Sequence, residues 1–174
     1  MAVAPDPSDE VVDVVDDEDR VVGSATRGEV WAGHLRHRAV TVLCRNPAGD
    51  VFVHRRAATK SLFPGVYDLF VGGGVGAGES YDDAARREAD EELGVRGACP
   101  TPLFRYRYDG SELREWVALY ELEWVGPVDP PADEIEWWAF LPPPTLLRRL
   151  NEWDFVPDSR DLFAHYRSLR SPRS

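Results

Sequence analysis

The sequence predicts a fold of the α+β or α/β type, in which a mixed β-sheet is flanked by helices. Two observations lead to this prediction. Short runs rich in valine and aromatic residues alternate with turn residues along most of the chain, which is typical of strands. Three other segments carry apolar residues at helical spacing. The length of 174 residues suits one compact domain with short extensions.

The N-terminal half begins with a leader and continues as short strands. Residues 1–9 are rich in proline and acidic side chains and predict a disordered leader, whereas residues 10–170 are expected to form a single domain. Each of the first two pairs of valine-rich runs encloses a turn, so we expect two antiparallel pairs. The predicted strands are Glu10–Val15, Arg20–Ala25, Ala39–Cys44, Val51–Arg55 and Tyr67–Val71.

A glycine-rich loop, Gly72–Gly78, is expected to lead into a helix at Tyr81–Leu93. Ser80 is a suitable N-cap, and acidic residues follow it in the first turn, where the helix dipole favours them. Gly94 is a suitable C-cap. A buried stripe is predicted from three apolar residues that recur every four positions, Ala85, Ala89 and Leu93.

The C-terminal half predicts two paired strands, a last strand and two short helices. The pair is expected to meet across a turn at Asp109-Gly110, and a run of three prolines separates the last strand from the helices. The strands are Leu103–Tyr108, Trp116–Trp124 and Ile135–Leu141, and the helices lie near Thr145–Asn151 and Ser159–Leu169.

The net charge of −11 is concentrated at the N-terminus. Eight of the 31 acidic residues precede the first basic residue, Arg20, so the remaining chain has 23 acidic against 20 basic residues. Because no basic stripe faces a phosphate backbone, nucleic acid is disfavoured as a bulk partner. No apolar run approaches the roughly 20 residues of a membrane span, and no secretory signal is evident. We therefore expect a cytoplasmic protein without a membrane partner.

Three carboxylates are spaced to share one face of the predicted helix. Glu88, Glu91 and Glu92 occupy positions i, i+3 and i+4, which at about 100° per residue lie within a narrow arc. Carboxylates this close repel one another, and a hard divalent cation such as Mg²⁺ would relieve the repulsion. The alternative is a solvated acidic face without a ligand.

A longer pattern surrounds these carboxylates. From Gly73 it reads glycine, five residues, Glu79, seven residues, Arg87-Glu88, two residues, Glu91-Glu92, one residue, glycine and Val95. This pattern resembles the signature of the Nudix hydrolase family with every charged position filled, and its one departure, a mild one, is the small residue Ala89 at an apolar position. The resemblance implies a Nudix-type α/β/α sandwich with a mixed β-sheet, an N-terminal β-hairpin and C-terminal helices.

The resemblance also implies chemical roles. Mg²⁺, or Mn²⁺ in its place, would be bound by Glu88, Glu91 and Glu92. Glu91 and Glu92 would take part in catalysis. Instead of binding the metal, Glu91 would alternatively orient the attacking water or act as the base. Glu79 and Arg87 would form a structural pair that holds the loop against the helix. Metal ions in such a site neutralise diphosphate charge and activate water.

A second resemblance lies upstream. The segment His54–Gly65 is similar to the one that precedes the signature in isopentenyl-diphosphate isomerases and related hydrolases. It implies that Arg55 and Lys60 contact the substrate diphosphate, which the backbone of Gly73 and Gly74 would also face. The alternative for the two cations is a surface position at the end of a strand.

The isomerases use a cysteine and a nearby metal-binding histidine, and glycines stand at both positions here, Gly72 and Gly74. Since the hydrolytic carboxylates are complete, hydrolysis is expected rather than isomerisation. The late acidic segment Asp133–Glu136 offers Glu134 and Glu136 as candidates for a catalytic base or an extra metal ligand, or as solvated loop acids.

The sequence therefore predicts a Mg²⁺-dependent hydrolase that cleaves a diphosphate linkage in a nucleoside diphosphate or a nucleoside diphosphate-X substrate by water attack. The alternatives are an isomerase-like enzyme and a catalytically silent module that binds diphosphates. Trp116, Trp137 and Trp138 would stack a base or, alternatively, belong to the core. The partner is a small-molecule diphosphate, and the family favours a homodimer.

Overall fold

The structure, a computed structural model, describes residues 7–170. Within this range it contains nine strands and four α-helices. The strands are β1 (Val11–Val15), β2 (Val21–Thr26), β3 (Arg36–Arg45), β4 (Val51–Arg56), β5 (Tyr67–Asp68), β6 (Val71–Gly74), β7 (Thr101–Asp109), β8 (Arg114–Glu123) and β9 (Ile135–Leu141). The helices are α1 (Arg27–Ala32), α2 (Tyr81–Leu93), α3 (Pro143–Glu152) and α4 (Pro157–Arg170).

Strand β3 is the centre of a mixed sheet. It pairs parallel with β8 over its whole length, from Arg36↔Arg114 to Arg45↔Glu123, and antiparallel with β6. β7 continues the sheet beyond β8, and β9 and β5 both pair antiparallel with β4. The hairpin of β1 and β2 joins β3 through the register pair Val14↔His37.

The two faces of the sheet carry separate cores because side chains alternate along a strand. Val40 and Val42 of β3 face α2 and pack in one cluster with Ala85 and Leu93. Leu43 of β3 points to the opposite face of the sheet. The core cluster on that face includes apolar residues of α3 and α4, among them Leu146, Leu162 and Phe163. One helix on one face and two on the other make an α/β/α sandwich, which confirms the predicted fold class.

Helix α2 has the predicted bounds, Tyr81–Leu93. The Ser80 side chain accepts a hydrogen bond from the Asp83 backbone N–H, and Gly94 ends the helix in the left-handed conformation with φ of 62°. A side chain at position 94 would also collide with the backbone, because a Cβ there would lie 1.7 Å from the carbonyl oxygen of Asp129. The local signals of the sequence therefore fix both ends of this helix.

The segment predicted as one strand, Tyr67–Val71, is two strands with different partners, β5 with β4 and β6 with β3. The Asp68 carboxylate separates them by accepting hydrogen bonds from the backbone N–H groups of Leu69 (2.7 Å) and Phe70 (3.1 Å). β6 continues through Gly74, so the predicted loop Gly72–Gly78 is a strand in its first half. β3 and β4, predicted as partners, share only the register pair Arg45↔Val51, since β4 turns away to β9.

Two N-terminal features also differ from the prediction. Pro7–Asp9, the end of the predicted disordered leader, form a turn of 3-10 helix, and residues 1–6 lie outside the described residues. The short helix α1 was not predicted. Thr26 caps it by accepting from the Glu29 backbone N–H, and the Glu29 carboxylate accepts from the Thr26 backbone N–H. This capping box stabilises a helix too short to be recognised by its periodicity. Among residues 7–170, no helix has the length and apolar character needed to cross a bilayer.

Candidate functional site

Most of the predicted site residues line one cavity of about 740 Å³. β6 and α2 supply what we call the carboxylate face: Gly72, Gly73, Glu88, Glu91 and Glu92. The N-terminal part of the chain supplies what we call the N-terminal wall: Asp9, Glu10, Arg27 and Trp31. The end of β4 with the segment after it, and the loop before β9, complete the lining with Arg56, Lys60 and Glu134, among others.

Glu88 and Glu92 are buried side by side against the glycines of β6. The Glu92 carboxylate accepts a hydrogen bond from the Gly72 backbone N–H at 3.1 Å. Glu88 lies so close to Gly73 that a Cβ on this glycine would be 2.6 Å from a carboxylate oxygen. The run of glycines therefore lets two carboxylates approach the backbone where a side chain would exclude them.

Burial and mutual repulsion disfavour the charged forms of this pair. Desolvation, and then the neighbouring Glu88, raise the pKa of Glu92 to about 8. Desolvation also raises the pKa of Glu88, although the adjacent Arg87 opposes the effect. Two buried acids that resist ionisation indicate a place where negative charge lacks full compensation from the protein.

Glu91 lies differently from the other two carboxylates. Its side chain is 61% exposed, and its contact to Arg87 is long, at 3.5 Å. It still lines the same cavity. Its carboxylate is thus accessible to solvent and to a ligand, whereas those of Glu88 and Glu92 are held in place.

Arg87 joins the loop, the helix and β6. Its Nε and Nη2 each lie 2.9 Å from a different oxygen of the Glu79 carboxylate, a bidentate pair. The same guanidinium donates to the Gly74 carbonyl at 3.1 Å and to Glu88 at 2.7 Å. Glu79 also accepts from the Gly76 backbone N–H, so the pair fixes the path of the chain between β6 and α2.

Lys60 and Glu134, two residues predicted for the site, both line the cavity and form an ion pair with each other. Arg56 lines the cavity as well, and its guanidinium donates to the carbonyls of Leu62 and Phe63. These contacts hold the segment after β4 in a bend over the cavity. The cations of this segment are therefore positioned beside the carboxylate face.

Three of the predicted residues lie outside the lining of the cavity. Arg55 and Glu136 pair with each other at 3.0 Å, on the neighbouring strands β4 and β9. Arg56, the next residue of β4, lines the cavity, because successive side chains of a strand point to opposite faces. Gly74 is also outside the lining, and its carbonyl is occupied by Arg87.

The sequence does not predict the N-terminal wall, and the tryptophans that it offers for stacking lie elsewhere. Trp137 packs on Tyr67 and Trp153, and Trp138 on Phe52, and neither lines the cavity. The signal that could have found Trp31 is the capping-box spacing of Thr26 and Glu29, which would have predicted α1.

The donor set fits a hard divalent cation. No three His, Cys, Asp or Glu side chains in residues 7–170 converge into a closed metal-binding cluster. Mg²⁺ does not need one, since it keeps several waters and is usually held by one or two carboxylates together with substrate phosphates. The buried pair Glu88 and Glu92 supplies oxygen ligands and the charge that such an ion would compensate.

Comparison with known proteins places these features in a family. The NUDIX domain matches residues 35–166. An uncharacterised Nudix hydrolase of Streptomyces coelicolor is 54% identical over 166 residues, covering 94% of this chain and 91% of its own. The uncharacterised Nudix hydrolase YfcD of Escherichia coli is 36% identical over 152 residues, covering 87% and 83%. The crystal structure of DR0079 from Deinococcus radiodurans superposes with a TM-score of 0.77 at 32% identity, covering 90% of this chain and 98% of that one.

Proposed function

Because the chain belongs to the Nudix hydrolase family, we propose that it cleaves the diphosphate linkage of a nucleoside diphosphate or nucleoside diphosphate-X substrate with Mg²⁺ as cofactor. The observation that carries the proposal is the buried pair Glu88 and Glu92 in a cavity that is also lined by cations from two other parts of the chain: Arg27, and Arg56 with Lys60.

The residues divide between holding the ion and holding the substrate. Glu88 and Glu92 would bind Mg²⁺, with Glu91 as a third oxygen donor at the solvent side. Mg²⁺, when bound, supplies charge neutralisation for the diphosphate oxygens and lowers the pKa of water. Lys60 and Arg56 would contact the diphosphate. Lys60 is paired with Glu134 and would leave this partner to bind a phosphate oxygen.

The reaction is a displacement at phosphorus. The water oxygen forms a bond to one phosphorus, the bridging P–O bond breaks, and the leaving phosphate keeps the electron pair. The water proton passes to a carboxylate of the cavity. The proposed proton acceptor is Glu91, because its carboxylate is exposed to the cavity and makes only a long contact to Arg87, and Glu92 orients the site through its hydrogen bond with Gly72.

The test is hydrolysis of a panel of nucleoside diphosphates and nucleoside diphosphate sugars with Mg²⁺, scored by release of phosphate or nucleoside monophosphate. Wild type should cleave at least one member, and Glu92→Gln should not. Glu123→Gln, an exposed acid at the end of β8, is the matched control and should behave as wild type. Equal rates for wild type and Glu92→Gln would remove Glu92 from the site. No cleavage by the wild type would favour a silent diphosphate-binding module, and conversion of isopentenyl diphosphate would favour an isomerase.

A further inference from the structure

Helix α1 presents an arginine and a tryptophan to the cavity. Arg27 and Trp31 stand four residues apart, which places them on the same side of a helix. The guanidinium carbon of Arg27 lies 5.2 Å from the centroid of the Trp31 indole, in a cation–π contact. The capping box of Thr26 and Glu29 fixes this helix although it is only six residues long. The pair is therefore a built feature of the N-terminal wall.

Arg27 also reaches towards the carboxylate face. Its guanidinium carbon is 3.7 Å from the position that a Cβ of Gly74 would take. Nη1 pairs with Glu10 at 3.0 Å, but the buried Nε has no hydrogen-bond partner in the part of the chain that the structure describes. Arg27 lines the same cavity as the carboxylate face, and a guanidinium is suited to binding a phosphate placed there.

The remaining lining offers hydrogen-bond partners to a nucleoside. Six of the thirteen lining residues beyond the carboxylate face carry a carboxylate or a hydroxyl: Asp9, Glu10, Thr59, Ser61, Asp133 and Glu134. An isoprenoid chain would strip these groups of water without replacing their hydrogen bonds. A nucleoside would satisfy them, because its ribose hydroxyls and ring N–H groups are donors that suit acceptors of this kind.

We propose that the indole of Trp31 stacks on the base of a nucleoside diphosphate substrate, while Arg27 binds the phosphate next to the ribose. The inference rests on the proposed function for the identity of the reaction, but it concerns the choice of substrate. Stacking of a base on an aromatic side chain tolerates different bases, so Trp31 selects nucleosides as a class. The specificity for a particular base is left to the hydrogen-bonding groups of the lining.

The test measures binding rather than turnover. Dissociation constants for nucleoside 5′-monophosphates and for ribose 5-phosphate, the base-free probe, are determined by calorimetry in Mg²⁺ buffer. In wild type the nucleotide should bind more tightly than ribose 5-phosphate. Trp31→Ala should weaken nucleotide binding about tenfold, within the range of base–aromatic stacking, and leave ribose 5-phosphate unchanged. Trp31→Phe should keep most of the difference, and Arg27→Gln should weaken both probes by a similar factor of about ten.

Trp138→Ala is the matched control, because this tryptophan is 40% exposed and does not line the cavity. It should retain the full difference between the two probes, and thermal melting should show that each variant is folded. An unchanged difference in Trp31→Ala would overturn the proposal, as would tighter binding of isopentenyl monophosphate than of every nucleotide. If the difference collapses in Trp31→Ala but wild type hydrolyses nothing, the nucleotide site stands and the proposed hydrolysis fails.

Discussion

Replacing Glu92 by glutamine should separate what this residue does for catalysis from what it costs in stability. Burial, and then Glu88, raise the pKa of Glu92 to about 8 from an ordinary value of 4.5. One pKa unit corresponds to about 1.36 kcal/mol, so ionising Glu92 in the folded, metal-free protein opposes folding by up to about 5 kcal/mol. The unfolded chain pays no such penalty, because its carboxyl is in water.

The sign of the pH dependence follows from the raised pKa. Below pH 4.5 the carboxyl is neutral in both states, and its contribution to stability is fully present. Between this pH and about 8 the folded state binds more protons than the unfolded state, so the contribution is lost as the pH rises through that window. Glutamine is neutral throughout and can still accept the hydrogen bond from the Gly72 N–H.

The assay is urea unfolding followed by tryptophan fluorescence, with EDTA present, at about pH 5, about pH 7 and about pH 9. We expect wild type and Glu92→Gln to be nearly equally stable at the lowest pH, and Glu92→Gln to be more stable by about 3 kcal/mol or more at the highest. Glu123→Gln should follow wild type. Mg²⁺ should stabilise wild type but not Glu92→Gln at the highest pH, because ligand binding adds to folding free energy. A difference between the two proteins that stays constant across the pH range would refute the reasoning.

Two further substitutions test the close approaches of the backbone. Gly73→Ala should abolish hydrolysis with little loss of secondary structure, because its Cβ would lie 2.6 Å from a Glu88 oxygen; activity near the wild-type level would contradict this geometry. Gly94→Ala should lower the free energy of unfolding, measured by urea denaturation, by more than about 2 kcal/mol. Two causes add up here: the left-handed φ of 62° and the collision of the new Cβ with the backbone of Asp129. Gly97→Ala has a left-handed φ of 79° but open space, so it should cost only about 1 kcal/mol, and an equal loss in both variants would remove the collision from the explanation.

Local signals explain how much of the fold could be predicted. The bounds of α2 follow from Ser80 and Gly94, which act within a few residues of the helix ends. The division between β5 and β6 could not be predicted in the same way, because the Asp68 side chain makes the break through bonds to two backbone N–H groups. A run of glycines does not indicate a strand either. Gly72 can lie in β6 because it has no side chain, since a Cβ on Gly72 would be 2.1 Å from the carbonyl oxygen of Val40.

The site divides along the same line. Residues within the long pattern could be assigned from spacing alone, since one helix and one tight loop fix their relative positions. The sequence predicts Arg55 because it does not show which face of β4 is turned to the cavity. Arg56 lines the cavity and shares the face of β4 on which Phe52 packs into the core beside α2. Glu136 stands where the register of β4 and β9 shifts, and its side chain pairs with Arg55 there, which alternation along β9 does not predict.

The attachment of the β1–β2 hairpin has a consequence for how the protein opens. β1 meets β3 at the register pair Val14↔His37 and meets the β6–α2 loop at the bridge Val12↔Gly76, whereas β6 is paired with β3 along its whole length. The turn of the hairpin is also tied to the rest of the sheet, since Asp17 pairs with Arg36 and Asp19 pairs with Arg38. β2 is the edge of the sheet and is mostly exposed. In hydrogen exchange we therefore expect the amides of β2 to exchange sooner than those of β3, which lies between other strands.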